Sequence, residues 1–299
     1  MKNKIMFIIL GLTVALLAPL TAFNLLDVFY FPHTQGLVND DSGVFFDEEE
    51  GETKVEYICD KRNVEGIDVK YHLLKIHLNS LNRLKSRLAV DEEGHYGINV
   101  TQKFSDVVSD IKEETGLGVL GAITGDFAFW SSSRKGYVVR NGVVYRTERK
   151  SKNSIDLVVK KDRTISFMKE GDFRMDVGVG QVSKLYYQII SFGPVLLEDG
   201  KIVIDEDAEI NGNTWVNNQR AAIGFVDAYN LMFLATEAND RVSKTLQSFK
   251  LHELAVFLKE QGCVGAYNLD GGYSAGLAFN DKVVFSPSRT IGDVFYIST

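Results

Sequence analysis

Residues 263–276 read Cys-Val-Gly-Ala-Tyr-Asn-Leu-Asp-Gly-Gly-Tyr-Ser-Ala-Gly. A short apolar run ends in Asn268, Leu269 and Asp270 and then turns on Gly271 and Gly272. Before it, Leu251, Leu254, Ala255 and Leu258 recur at helical spacing, with Ser248 ahead and Gly262 behind. The same order occurs once upstream. There Phe104, Val107, Val108 and Ile111 keep helical spacing between Thr101 as N-cap and Gly116 as stop. The apolar strand Gly118–Ile123 follows and ends in Thr124-Gly125-Asp126-Phe127. Two helix–strand units therefore each deliver a polar residue, a glycine and an aspartate to a strand end, where α/β folds place their sites.

Between the two units the chain is rich in hairpins. Asn141-Gly142 separates Tyr137–Arg140 from Val143–Arg146, and Asp199-Gly200 separates Leu196–Glu198 from Lys201–Ile204. A further short turn lies between Ile223–Val226 and Leu231–Ala235. The expectation is an α+β (mixed α/β) fold: a single hairpin-rich, largely antiparallel sheet domain with packed helices, behind an N-terminal transmembrane helix.

The rest of the chain sets the boundaries. Of 299 residues 45% are hydrophobic, enough for a substantial core, and the net charge of −7 argues against a nucleic-acid partner. Lys2 and Lys4 precede an uncharged apolar stretch that runs to Leu26. About 20 apolar residues span a bilayer, and the basic flank stays inside. Residues 1–26 read as a transmembrane anchor, contacting the membrane through residues 5–26, or as a signal peptide cleaved after Ala22. The C-terminal domain then faces outward from the cell membrane, or is secreted after cleavage. Residues 27–55, with the acidic run Asp47–Glu52, read as a solvated spacer, and residues 56–299 as the folded domain. Cys59 and Cys263 could pair outside the cytoplasm or remain as separate thiols.

Two chemistries compete inside the opening stretch. Gly272-Tyr273-Ser274-Ala275-Gly276 fits the nucleophile elbow of serine hydrolases, but none of the five histidines follows Ser274. His72 and His77 sit in an alternating strand pattern and His252 on the polar side of a helix. Asp270 is the stronger candidate, since Gly271 and Gly272 let a ligand approach the backbone beside its carboxylate. Spacing for zinc is absent, and neither a Walker loop nor a complete dinucleotide fingerprint occurs. No cofactor is indicated; the sequence leaves calcium at Asp270 and neighbouring oxygens open.

The run from Asn268 to Ser274 resembles the signature of the phosphodiester glycosidase family. Further likenesses lie at Gly193–Gly200, Arg220–Gly224, the helix at His252–Ala255 and the segment Ser286–Asp293, in the same order and spacing. The resemblance implies hydrolysis of a sugar-1-phosphodiester, with a phosphorylated glycan as partner: an envelope glycan, a teichoic-acid-like polymer or an exopolysaccharide. Departures bear on the substrate. Thr124 stands where the family has an amide, Tyr273 where many members have glycine, Ser286 where asparagine is frequent and Glu237 where the family has aspartate.

On that reading Asp270 is the chief catalytic carboxylate, Asp126 its partner and Glu237 a further carboxylate candidate, since an oxocarbenium-like transition state needs carboxylates near the anomeric carbon. Arg220 and Arg289 are the expected phosphate clamps. Asn268, Thr124 and Ser274 are expected to bond sugar hydroxyls, with Gly271 and Gly272 making room. The alternative from another class is a catalytically weak glycan-binding or envelope-assembly protein that uses the same pocket.

Overall fold

The computed structural model describes residues 52–127, 135–162, 164–173, 179–206, 218–238 and 248–299. The apolar stretch 5–26 and nearly all of the acidic spacer lie outside the described residues. Among the described residues no helix is long and apolar enough to cross a membrane.

Where a single sheet is expected, the strands among the described residues form three, and every strand pair there is antiparallel. Numbering runs in chain order. The seven-stranded sheet is ordered β1 (Lys54–Val64), β2 (Ile67–His77), β13 (Asn230–Thr236), β12 (Arg220–Phe225), β14 (Gly265–Leu269), β10 (Val195–Glu198), β11 (Lys201–Ile202). The second sheet is ordered β16 (Lys282–Phe285), β15 (Leu277–Phe279), β4 (Val119–Thr124), β17 (Asp293–Ser298), β3 (Lys85–Leu88). The third is ordered β6 (Val143–Arg146), β5 (Val138–Arg140), β9 (Tyr186–Ile190), β7 (Ile155–Lys160), β8 (Ile165–Lys169). The expected hairpins are present: Asn141-Gly142 and Asp199-Gly200 both take positive φ at both turn positions, the backbone twist that two-residue hairpins require. Hairpin signals are local, whereas the partition into three sheets is made by distant pairings such as β2 with β13 and β4 with β17.

Strand alternation assigns the layers. On the large sheet Leu73, Leu234 and Ala222 face the helix Leu251–Glu260, packing on Leu254 and Leu258. Their neighbours Leu74, Phe233 and Ile223 face the other way, onto Ile123 and Phe295 of the second sheet and Leu157 and Ile190 of the third. The helix Phe104–Thr115 covers the outer face of the second sheet through Val107 and Ile111.

Both expected helices form, the first with a shifted start. The first begins at Phe104, not after Thr101, because Gln102 is still bridged to Ile291 as extended chain. Thr101 instead accepts a hydrogen bond from the Thr290 hydroxyl. The second begins at Leu251, and Glu253 reaches back to accept from the Lys250 N–H. Gly116 ends the first helix in the left-handed conformation, φ 68°. The first strand among the described residues starts at Lys54. Cys59 and Cys263 are both free thiols, one exposed and one buried under the large sheet.

Candidate active site

The two strand-end motifs lie side by side. The Asp270 N–H donates to the Gly125 carbonyl at 3.0 Å, and the Gly125 N–H donates to the Asp293 carbonyl at 2.8 Å. Only glycine fits at 125, because a Cβ there would sit 2.5 Å from the Asp293 carboxylate. Gly271 is equally confined: its Cβ would lie 2.7 Å from the Gln219 carbonyl, at the head of β12. Gly272 takes φ 58° and donates to that same carbonyl at 2.7 Å. These glycines let β4, β12 and β14 end against one another.

Asp270 is buried at the tip of β14, and Arg289 covers it. Arg289 Nη2 lies 3.3 and 3.2 Å from the two carboxylate oxygens, and its Nε donates to the Ser274 hydroxyl. The guanidinium sits 5.4 Å above the Phe127 ring. Phe127 takes φ 74°, a strained backbone for an aromatic residue, and so holds its ring under the arginine. A third of the Arg289 side chain is exposed, against 7% of Asp270, so the arginine forms the solvent edge of the site. Burial pushes the Asp270 carboxyl up to about 6, against the opposing pull of Arg289 and Ser274.

Asp126 has a different environment. Its Oδ1 is 2.7 Å from Arg140 Nη2, and its Oδ2 accepts from the Ser191 N–H at 2.8 Å. Arg140 also bonds Asp293 through Nε and Nη2, and it stacks over Phe295. Asp293 accepts the Asp126 N–H at 2.9 Å. All three side chains are buried. Burial and the neighbouring Asp126 raise the Asp293 carboxyl, while Arg140 opposes them.

The remaining expected residues divide. Thr124 is buried, and its hydroxyl donates to the Ser274 carbonyl at 2.6 Å, which ties the two motifs together. Asn268 donates its amide to the Gly193 carbonyl at 2.8 Å, while its Oδ1 is buried with no hydrogen-bond partner among the described residues. Arg220 heads β12 in register beside the β14 tip, buried, with Nε donating to the Phe249 carbonyl at 2.9 Å. Desolvation lowers its guanidinium to about 10, so it stays charged at neutral pH.

Glu237 follows β13, two strands from β14, or about 10 Å at ordinary strand spacing. Its Oε1 is 2.8 Å from His72 Nε2 and 3.0 Å from Lys70 Nζ. His72 Nδ1 in turn lies 2.8 Å from the Tyr57 hydroxyl, and Phe285 stacks on the imidazole. Burial lowers the His72 imidazole, so the ring is neutral: Nε2–H donates to Glu237 and Nδ1 accepts from Tyr57. Burial alone would raise Glu237, but His72 and Lys70 hold it below the usual carboxylate range.

Sequence reasoning passed over Arg140, Asp293, Ser191 and Phe127 as site components, and read His72 as an ordinary histidine. Asp293 was visible only as the last residue of the final motif. For Arg140 no local signal exists, since the hairpin that carries it meets Asp126 only in the fold. Ser274 is bonded to Arg289, so the Gly-x-Ser-x-Gly match reports a turn between β14 and β15 and not a serine–histidine pair.

A buried carboxylate of raised pKa under a solvent-edge guanidinium marks a candidate reactive site with a cation to receive an anionic group. Comparison with known proteins narrows the class. The family model described as phosphodiester glycosidase matches residues 117–298, more than half of the chain, and the chain belongs to that family of hydrolases acting on glycosyl bonds. The fold is similar to the zebrafish N-acetylglucosamine-1-phosphodiester alpha-N-acetylglucosaminidase catalytic domain, auto-inhibited by its pro-peptide. That likeness has a TM-score of 0.65 at 20% identity and covers 84% of each chain. A hypothetical protein from Synechocystis also shares the fold, with a TM-score of 0.58 at 14% identity over 82% of this chain and 62% of that one. A search of curated protein sequences finds no match.

Proposed function

We propose that this chain hydrolyses the sugar–phosphate link of a sugar-1-phosphodiester and that Asp270 and Arg289 carry the reaction. The observation that supports this most is the Arg289 guanidinium, which spans Asp270 and Ser274 at the solvent edge over Phe127. A planar guanidinium matches phosphate oxygens. When a phosphodiester takes Arg289, Asp270 loses its counter-charge and gains an anionic neighbour. Both changes raise a carboxyl that burial already holds at about 6. Asp270 is then a proton donor placed beside the departing phosphate oxygen.

Glu237, held ionised by His72 and Lys70, takes the complementary part of stabilising the oxocarbenium-like centre or activating water. Carboxyl groups driven apart in pKa by their surroundings divide acid and base work in this way. Asp126, with both oxygens engaged, holds the β4 end that accepts Asp270's N–H. Arg220 supplies fixed positive charge behind the β14 tip.

The natural substrate in this reading is a phosphorylated glycan of the envelope, a teichoic-acid-like polymer or an exopolysaccharide. What supports that setting is the uncharged apolar run behind Lys2 and Lys4, which fits a membrane anchor with the domain outside. The test is free-sugar release by the purified full-length chain from a panel of α-sugar-1-phosphodiesters, N-acetylglucosamine among them. The expected result is turnover of at least one member, with a rate that declines as pH rises past the Asp270 titration. Saturable sugar binding without turnover across the panel would instead support the glycan-binding alternative.

A further inference from the structure

A cavity of about 370 Å³, in the size range of small-molecule sites, opens at the end of β14 opposite Asp270. Gly265, the first residue of β14, lines it, and the length of the strand puts it about 17 Å from Asp270. The other walls come from β8, the β10–β11 turn and the β12–β13 turn.

The floor of this cavity is the open edge of the main core. Phe225 is buried in that core, while Ile165, Phe167 and Ala228 pack against it and stay half-buried. The Phe167 ring stacks on Tyr267, with centroids 6.1 Å apart and planes 15° apart. Val264 extends the apolar surface outward and is 49% exposed.

Around that floor the charge is negative. Glu198, Asp199 and Asp227 all line the cavity and are exposed. Among the described residues none of the three is in an ion pair, although Lys201 stands opposite Glu198 in the β10–β11 register. Asp227 is fixed in place: its Oδ1 accepts the N–H groups of Tyr229 and Asn230 at 2.8 and 2.7 Å. Burial alone would raise Asp227, but the Asn230 amide and these N–H groups hold it below the usual carboxylate range, so it is ionised. The described acids do not converge on a point that would hold a metal ion. Carboxylates spread around an aromatic floor suit a soft organic cation, which gains from the ring faces as well as from the charge. The wall also has hydrogen-bonding capacity left over, since the Ser166 Oγ is buried with no partner among the described residues.

We infer that this cavity binds a small organic ammonium ion, its apolar body on Phe167 and Phe225, its charge among Glu198, Asp199 and Asp227, and the Ser166 hydroxyl left to accept an N–H. The site is separate from the strand-end site and stands whether or not the chain is a glycosidase.

The test is calorimetric titration of the full-length chain with two probes of one shape, phenethylammonium and neutral 2-phenylethanol. The ammonium should bind saturably and about 10-fold more tightly than the alcohol, as charged hydrogen bonds and a cation over an aromatic ring provide. The double variant Glu198→Gln/Asp199→Asn should erase that preference. Both positions are exposed, and asparagine tolerates the φ of 50° at position 199. Phe167→Leu should weaken both probes, and Asp270→Asn should change neither. Equal affinity for the two probes would reduce the cavity to an apolar crevice and overturn the inference. So would the absence of saturable ammonium binding, or ammonium binding that survives the double variant and is lost in Asp270→Asn.

Discussion

Two strand ends in this molecule carry almost the same letters and have opposite surroundings. Thr124-Gly125-Asp126 and Asp270-Gly271-Gly272 lie in contact, each with a buried aspartate beside a glycine that tolerates no side chain. Asp126 points inward, into a buried group with Arg140, Asp293 and the Ser191 N–H. Asp270 faces a guanidinium that is itself a third exposed and can be taken by a phosphate. The same residue pair at the same kind of strand end thus makes an anchor in one case and a reactive group in the other. What separates them is the partner, and the partner comes from a distant part of the chain.

The largest effect should come from the anchor. Arg140→Met leaves Asp126 and Asp293 buried together without a cation, and breaking a buried pair costs about 3–5 kcal/mol. Urea unfolding should show that loss; a midpoint shift too small to resolve would break the comparison.

At the other strand end the effect should fall on rate. Asp270→Asn should lower sugar release about 100-fold or more, the usual worth of a placed proton donor. Its stability should move the other way. The folded carboxyl, at about 6, lies above its unfolded value, so the stability it contributes is full below about 4 and is lost as pH rises through 6. Urea midpoints at pH 4, 5 and 7 should fall with pH more steeply in the wild type than in the variant. Identical slopes would mean that Asp270 ionises freely.

Smaller effects sharpen the contrast. Gly125→Ala drives a methyl into the Asp293 carboxylate and should cost about 1–3 kcal/mol in the same unfolding assay, as overpacking does. Arg289→Lys keeps the charge and loses the fork that spans Asp270 and Ser274. It should raise KM for a sugar-1-phosphodiester about 10-fold through the loss of one charged hydrogen bond, with little change in thermal stability. An unchanged KM would remove Arg289 from phosphate binding.

Much of this was legible in sequence, for physical reasons. Apolar spacing before Gly116 and Gly262 marked both helices, and Asn141-Gly142 and Asp199-Gly200 marked their hairpins, because these signals are local. The convergence of Thr124–Asp126 with Asp270–Ser274 was legible because each followed a helix and a short strand. The division into three sheets was not, since β2 finds β13 and β4 finds β17 across more than 150 residues of chain. The same limit hid Arg140 behind Asp126, a pair made between two sheets, and concealed that His72 meets Glu237, a pair made by strand register. The first helix's start was misplaced because tertiary pairing overrode propensity: Gln102 is held by Ile291.

The measurement closest to the central claim compares Asp270→Asn and Asp126→Asn side by side, in sugar-1-phosphodiester hydrolysis per folded molecule and in urea midpoint. The prediction is a crossed result. Asp270→Asn loses turnover and keeps or gains stability at pH 7, while Asp126→Asn loses stability and keeps turnover within about 10-fold once folded, as a group outside the proton transfer should. The reverse pattern, with turnover lost at Asp126 and retained at Asp270, would contradict the assignment of Asp270 as the reactive carboxylate.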